Sequence, residues 1–267
     1  MRAFSIIIFC FIGFSSFVLQ SDVAFKTIIL NDKSAHIKID DFGNTYVITK
    51  TELLKYSING IFVKSFSAKR YGNIDFVDVT NPLKILVYYK DFQQILFLDN
   101  QLTASSNMIS LENLGLEQTS LVCTSVNNSF WLFDKQNNSL LRYNEKSNLL
   151  VKTDNLKRIL DLDLKPNFLR EKNNYLYLNC PQEGILVFDM YGSFFKTISI
   201  KELSEFDIQN ENVIYFKDKA LHEYNTKTFS TSIKLFADSS IKTVYWQGNR
   251  FYKVYQDSVN QALKKEY

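Results

Sequence analysis

Tyr175-Leu176-Tyr177-Leu178, a polar turn, and then Gly184-Ile185-Leu186-Val187-Phe188 read as a strand, a reversal and a second strand ending on a bulky ring. Short runs of rings and branched aliphatics suit a pleated, half-buried surface. The phrase recurs. Upstream, Thr45-Tyr46-Val47-Ile48 leads to Leu53-Leu54-Lys55-Tyr56, Ile85-Leu86-Val87-Tyr88 to Ile95-Leu96-Phe97, and Phe130-Trp131-Leu132-Phe133 to Leu140-Leu141-Arg142-Tyr143. Downstream, Val213-Ile214-Tyr215-Phe216 leads to Leu221-His222-Glu223-Tyr224, and Phe251-Tyr252-Lys253-Val254 to Leu263-Lys264-Lys265-Glu266-Tyr267. The closing rings stand at 56, 97, 143, 188, 224 and 267, in steps of 41, 46, 45, 36 and 43 residues. An all-strand period of about 40 to 45 residues is the mark of a β-propeller, because one blade cannot bury its own apolar faces and must stack on neighbours around an axis.

Each repeat resolves into up to four antiparallel strands. The third repeat gives 120–125, 130–134, 139–143 and 149–153, and the fourth gives 167–171, 175–179, 184–189 and 194–198. Turn 189–192 matches 56–60 in placing Gly192 and Gly60 where the chain must reverse tightly. The sixth repeat offers only three strands, 241–247, 250–256 and 262–267, while an orphan strand at 23–30 precedes the first full blade, which opens near His36. Pairing the two chain ends completes the last blade and protects its edge. The expectation is an all-β, six-bladed propeller closed by its N-terminal strand; a seventh blade would need a strand pair hidden in 153–166.

Composition agrees with one large β domain over 21–267. Hydrophobic residues make up 46% and aromatics 15%, enough for a core, whereas 8 Gly and 3 Pro leave little material for phosphate loops or Pro-rich linkers. The first twenty residues stand apart: Arg2 gives a positive start, 3–19 is uncharged and apolar, and the first carboxylate is Asp22. Residues 1–20 read as a secretory signal peptide, with a mature start near Ser21. Cys10 lies inside the apolar run, away from the position a lipoprotein cysteine takes. Losing Arg2 with the leader lowers the basic total from 31 to 30 against 28 acidic residues, so neither nucleic acid nor a strongly acidic partner is implied. Export to the periplasm or beyond would favour disulfides. Even so, Cys123 falls in a first strand and Cys180 at the end of a second, in adjacent blades, and both are expected to remain thiols.

In period and strand pattern, over essentially the whole mature chain, the sequence resembles the six-bladed NHL-like propellers. It carries no Trp-Asp series, kelch Gly-Gly pair or Asp-box. Its richness in Lys, Asn, Ile and Phe resembles that of envelope proteins from low-GC bacteria, some of which are propellers attached to secretion machinery.

Catalytic chemistry has few candidates. His36 and His222 lie about four repeats apart, too few and too distant for a His-based metal site or a Ser-His-Asp system. Carboxylates cluster at Asp40-Asp41, Asp75 with Asp78, and Asp161 with Asp163; on a strand, the last two would share a face. No calcium loop pattern occurs, and no cofactor is implied. Asn127 and Asn137 match glycosylation sequons in links where turn chemistry alone explains Asn.

Links from an outer strand to the next blade's inner strand gather on one rim. Two of them carry a Lys-Arg pair beside an apolar or aromatic residue: Lys69-Arg70-Tyr71 and Leu156-Lys157-Arg158. Arg and Tyr are interface-enriched types. The reading is therefore an exported, non-catalytic propeller that scaffolds a protein partner in the cell envelope through Lys69, Arg70, Tyr71, Lys157 and Arg158, with no transmembrane span in the mature chain. The rivals are a small-molecule or glycan binder using rings such as Tyr71, and a cation-dependent hydrolase or lyase using Asp75, Asp78, Asp161 or Asp163.

Overall fold

The computed structural model describes residues 25–263, which form six four-stranded antiparallel sheets. Blade 1 comprises His36–Ile39, Thr45–Ile48, Glu52–Tyr56 and Phe62–Ser67; blade 2 comprises Phe76–Asp78, Ile85–Tyr89, Gln94–Leu98 and Ile109–Ser110. Blade 3 comprises Thr119–Ser125, Ser129–Asp134, Ser139–Asn144 and Leu149–Lys152; blade 4 comprises Phe168–Lys172, Tyr175–Cys180, Gly184–Asp189 and Phe194–Ile198. Blade 5 comprises Asp207–Gln209, Asn212–Lys217, Ala220–Asn225 and Thr231–Phe236. Blade 6 joins Thr243–Gln247, Arg250–Val254 and Ser258–Leu263 to Ile28–Ile29 from the other end of the chain. Residues 1–24, which hold the expected signal peptide 1–20 and the start of the expected strand 23–30, and residues 264–267 lie outside the described residues.

The ends close the ring. Ile28 pairs with Val259 and Ile29 with Ser258, and Leu30 N–H donates to the Asp257 carbonyl at 2.7 Å. The joining strand is shorter than the expected 23–30 because Lys26 N–H donates instead to Asn59 of blade 1 at 2.9 Å, so the segment crosses from one blade to the next. The third strand of blade 6 also starts earlier than expected, at Ser258, after a tight turn in which Tyr255 N–H meets the Ser258 carbonyl at 2.8 Å. In this register Val259 is fully buried. No seventh blade occupies 153–166 among the described residues. Instead, Leu156–Leu160 forms a helical turn, capped by the Asn155 side chain accepting from Arg158 N–H at 3.1 Å.

Apolar burial follows the blade interfaces. One cluster joins blades 1 and 2 around Tyr46 and Val87, and the next joins blades 2 and 3 around Phe97 and Phe130. Trp131 and Phe188 centre the third, Ile185 and Tyr215 the fourth, and Leu221 and Phe251 the fifth. The cluster that completes the circle packs Ile28 and Val259 of blade 6 against Ile37 and Val47 of blade 1. Burying a large aliphatic or aromatic side chain contributes about 1.5 to 3 kcal/mol, so each interface outweighs any single surface contact. Cys123 and Cys180 are buried free thiols in the cluster between blades 3 and 4, where they pack as small hydrophobes.

One turn chemistry repeats after the third strand. In blade 4, Asp189 accepts from the backbone N–H of Tyr191 and Ser193 at 2.8 and 2.9 Å, and Gly192 sits at φ +82°. Ser57, Asp99, Asn144 and Asn225 play the same part in blades 1, 2, 3 and 5. Side-chain oxygens that mimic a backbone turn explain why a polar residue directly follows the closing rings Tyr56, Tyr143, Phe188 and Tyr224.

Candidate functional site

Alternation places Phe168, Arg170 and Lys172 on one face of the inner strand of blade 4, turned to the axis. There they meet groups from most of the ring. Lys38 of blade 1 is ion-paired with Glu205 at the entry to blade 5, and its ammonium lies 5.8 Å from the Phe76 ring centroid and 5.4 Å from that of Phe168. Tyr245 of blade 6 holds its hydroxyl 2.6 Å from a Glu205 oxygen and 2.7 Å from the Ile37 carbonyl. Arg170 pairs with Asp207 of blade 5 and lies 5.5 Å from the Phe168 ring, and Lys172 reaches Asp41 of blade 1 at 2.6 Å. Phe168 contacts Phe76 and Phe206 edge to face, with centroids 6.4 and 5.3 Å apart. Together these groups plug the axis.

Electrostatics fit that arrangement. Burial acts to raise the Glu205 pKa, but the charge and hydrogen bond of Lys38 and the Tyr245 hydroxyl outweigh it, and the net value falls below the ordinary one. Burial and then the Glu205 charge push the Tyr245 phenol far up. Arg170 loses hydration by burial, yet Asp207, Asp78, Glu205 and Asp41 hold it firmly protonated.

Other acidic candidates bind the scaffold. Buried Asp78 accepts from Thr124 of blade 3 through its N–H at 2.7 Å and its hydroxyl at 2.8 Å, while exposed Asp75 accepts from Lys90 N–H at 2.8 Å. The pair therefore does not converge. Asp40 stabilises its own turn and the Tyr46 hydroxyl, whereas Asp41 faces Lys172. Asp161 and Asp163 are not on a strand, which corrects the shared face expected for them. Asp161 ends the 156–160 helix at φ +53°, and Asp163 pairs with Lys157 at 2.9 Å. Among the described residues, no group of three or more His, Cys, Asp or Glu side chains is placed to hold a metal ion. His222 stacks on Tyr215 with centroids 4.9 Å apart.

On the face reached by the outer-to-inner links, the plug residues Lys38, Glu205 and Tyr245 themselves form part of the wall of a cup of about 600 Å³. Its lining includes exposed Lys33, His36, Asp75 and Lys242, together with the rings of Phe76 and Phe168. The two Lys-Arg links belong to the same face but are separated by an intervening link. Lys69–Tyr71 forms a 3-10 turn between blades 1 and 2, with the Arg70 guanidinium 4.6 Å from the Tyr71 ring centroid. Lys157 and Arg158 lie on the helical turn between blades 3 and 4 and are met within their own link, Lys157 by Asp163 and Arg158 by Asp154 at 3.7 Å.

The axial group of Lys38, Glu205, Arg170, Asp207 and Tyr245 is what reading the sequence misses. A faint signal exists: the short inner strand 168–172 reads Phe168-Leu169-Arg170-Glu171-Lys172, three consecutive charges in a strand that the repeat places next to the axis.

No protein-family model and no curated protein matches the chain. Solved structures do resemble it in fold. A streptogramin B lyase is similar with TM-score 0.59 and 10% identity, over 91% of this chain and 87% of the lyase. The Pan2 WD40 domain of Neurospora crassa gives TM-score 0.55 and 10% identity over 82% and 74% of the two chains. A chain of a nidogen/laminin complex gives 0.53 and 10% over 74% and 76%. At such identities the likeness is one of propeller architecture.

Proposed function

We propose that this chain is an exported, non-catalytic propeller that acts as a protein-interaction scaffold, a subunit of an assembly in the cell envelope. The observation that carries the reading is the axial plug. Residue types able to perform acid-base chemistry at the axis, Lys38, Glu205, Tyr245, Arg170 and Asp207, bond to one another across blades. Such a plug stiffens the ring, and loops on a rigid frame commonly bind partners. Export rests on the apolar run 3–19 behind Arg2. No helix among the described residues is long and apolar enough to cross a membrane. Propellers of similar fold include one in a nidogen/laminin complex, which supports a partner-binding role by analogy.

The test is cross-linked purification from the cell envelope, followed by intact mass. A mature chain beginning near Ser21 with one partner in fixed ratio is expected. A full-length monomer in the cytosol would remove both the location and the scaffold. The 600 Å³ cup favours a second reading, a small-molecule binder. Thermal shifts on adding sugars or short peptides, lost on Phe76→Ala, would support it.

A further inference from the structure

We infer that the pocket between the outer parts of blades 1 and 2 takes an acidic peptide segment, with an apolar side chain seated in the pocket and carboxylates on Lys69 and Arg70. This inference rests on the scaffold reading and gives the partner a chemistry. The pocket holds about 490 Å³ and has two kinds of wall. Buried Leu96 and half-buried Phe66, Ala68, Tyr71 and Met108 make an apolar floor backed by the core. Lys69 and Arg70 supply the charge, and no carboxylate lines the pocket.

Charge complementarity identifies the occupant. Lys69 and Arg70 are exposed and form no ion pair with any described residue, in contrast with Lys157 and Arg158, which pair at the surface with Asp163 and Asp154. Arg70 is held over the Tyr71 ring, and Tyr71 rests on Tyr89 with centroids 5.8 Å apart. A guanidinium pre-oriented in this way meets a carboxylate at less entropic cost than a free one. The apolar floor demands more than charge, so a segment mixing Glu or Asp with a large aliphatic or aromatic residue fits better than a bare polyanion.

The experiment uses a fluorescein-labelled peptide alternating glutamate and leucine, titrated by anisotropy against the mature chain. Comparison probes are an all-glutamate peptide, a lysine-leucine peptide, oligothymidylate and anionic vesicles. Expected is salt-sensitive binding of the glutamate-leucine peptide, weakened at least about tenfold in Lys69→Glu/Arg70→Glu and in the pocket-filling Ala104→Trp, and unchanged in Lys157→Glu/Arg158→Glu. Melting curves matching the parent show that the variants fold. Equal binding by Lys69→Glu/Arg70→Glu overturns the proposal, as does tighter binding of oligothymidylate, vesicles or the all-glutamate peptide. If the envelope partner is retained by the pocket variants, the pocket assignment falls and the scaffold reading stands. If the peptide binds in the pocket while no envelope partner exists, the reverse holds.

Discussion

Lys172 Nζ lies 2.6 Å from Asp41 Oδ2, although the two residues belong to blades 4 and 1, which face each other across a six-membered ring. One pair of side chains therefore spans the axis, at the end of the inner strand 168–172 away from Phe168 and the cup. Both groups keep partial solvent access, so the pair marks the narrowness of the axis more than it stabilises it. Lys172→Ala should cost no more than about 1 kcal/mol in urea unfolding. A loss of several kcal/mol would mean that the contact is a keystone.

Glu205 should behave differently, because its pair with Lys38 is more enclosed and Tyr245 shares it. Its native pKa is depressed below the ordinary 4.5, so it contributes stability above that pH and loses the contribution as pH falls through the lower native value. Glu205→Gln should destabilise by roughly 1 to 3 kcal/mol near neutrality, with the gap to wild type closing in acid. Unfolding curves from pH 7 to about 3 check this; a constant gap would show that the charge is not what Gln removes.

Blades 1, 3, 4 and 5 are legible in sequence because each writes its phase twice, once as a ring and once as the polar turn residue directly after it, as in Phe188-Asp189 and Tyr224-Asn225. The sixth blade shows the limit. Tyr267 continues the ring series, yet the third strand is Ser258–Leu263, fixed by a turn at Asp257 and by the incoming Ile28 rather than by the next aromatic. The axial plug is less legible still. Alternation tells that Arg170 and Lys172 share a face, but nothing local says that Asp207 and Asp41 stand across from them. Nor does a Lys-Arg pair show whether a carboxylate nearby consumes it, which is what separates Lys157 from Lys69.

The two thiols should be chemically silent in the folded protein. Burial raises the Cys180 pKa to about 12, and burial with nearby Asp78 and Glu171 drives Cys123 well above its usual value. Ellman's reagent should find no reactive thiol natively and both after denaturation. Peptide mapping under non-reducing conditions that joins Cys123 to Cys180 would contradict this.

Removing the closing strand tests the ring itself. A chain starting at Asn31 loses buried Ile28 and Leu30 and the contact of Phe25 with Tyr252, whose ring centroids are 6.2 Å apart. At about 1.5 to 3 kcal/mol for each buried aliphatic side chain, the loss should exceed roughly 3 kcal/mol relative to a chain starting at Ser21. Equal urea midpoints would mean that blade 6 closes without this segment.

Gly60 offers a finer probe, because it ties that segment to blade 1. It sits at φ +73°, and a Cβ there would lie 2.0 Å from the Lys26 carbonyl oxygen, beside the bond from Lys26 N–H to Asn59. Gly60→Ala in the chain starting at Ser21 must therefore strain the turn and displace residues 25–27, costing about 2 to 4 kcal/mol. In the chain starting at Asn31 only the backbone strain remains, about 1 to 2 kcal/mol. The double-mutant cycle should be less than additive by at least about 1 kcal/mol. Gly192→Ala is the control: it too is strained, at φ +82°, but its close neighbour is Thr153 of blade 3, so its cost should be the same at both chain lengths. Additive behaviour at Gly60 would show that the N-terminal segment does not rest on the blade 1 turn in solution, and that ring closure depends on the Ile28 to Val259 pairing alone.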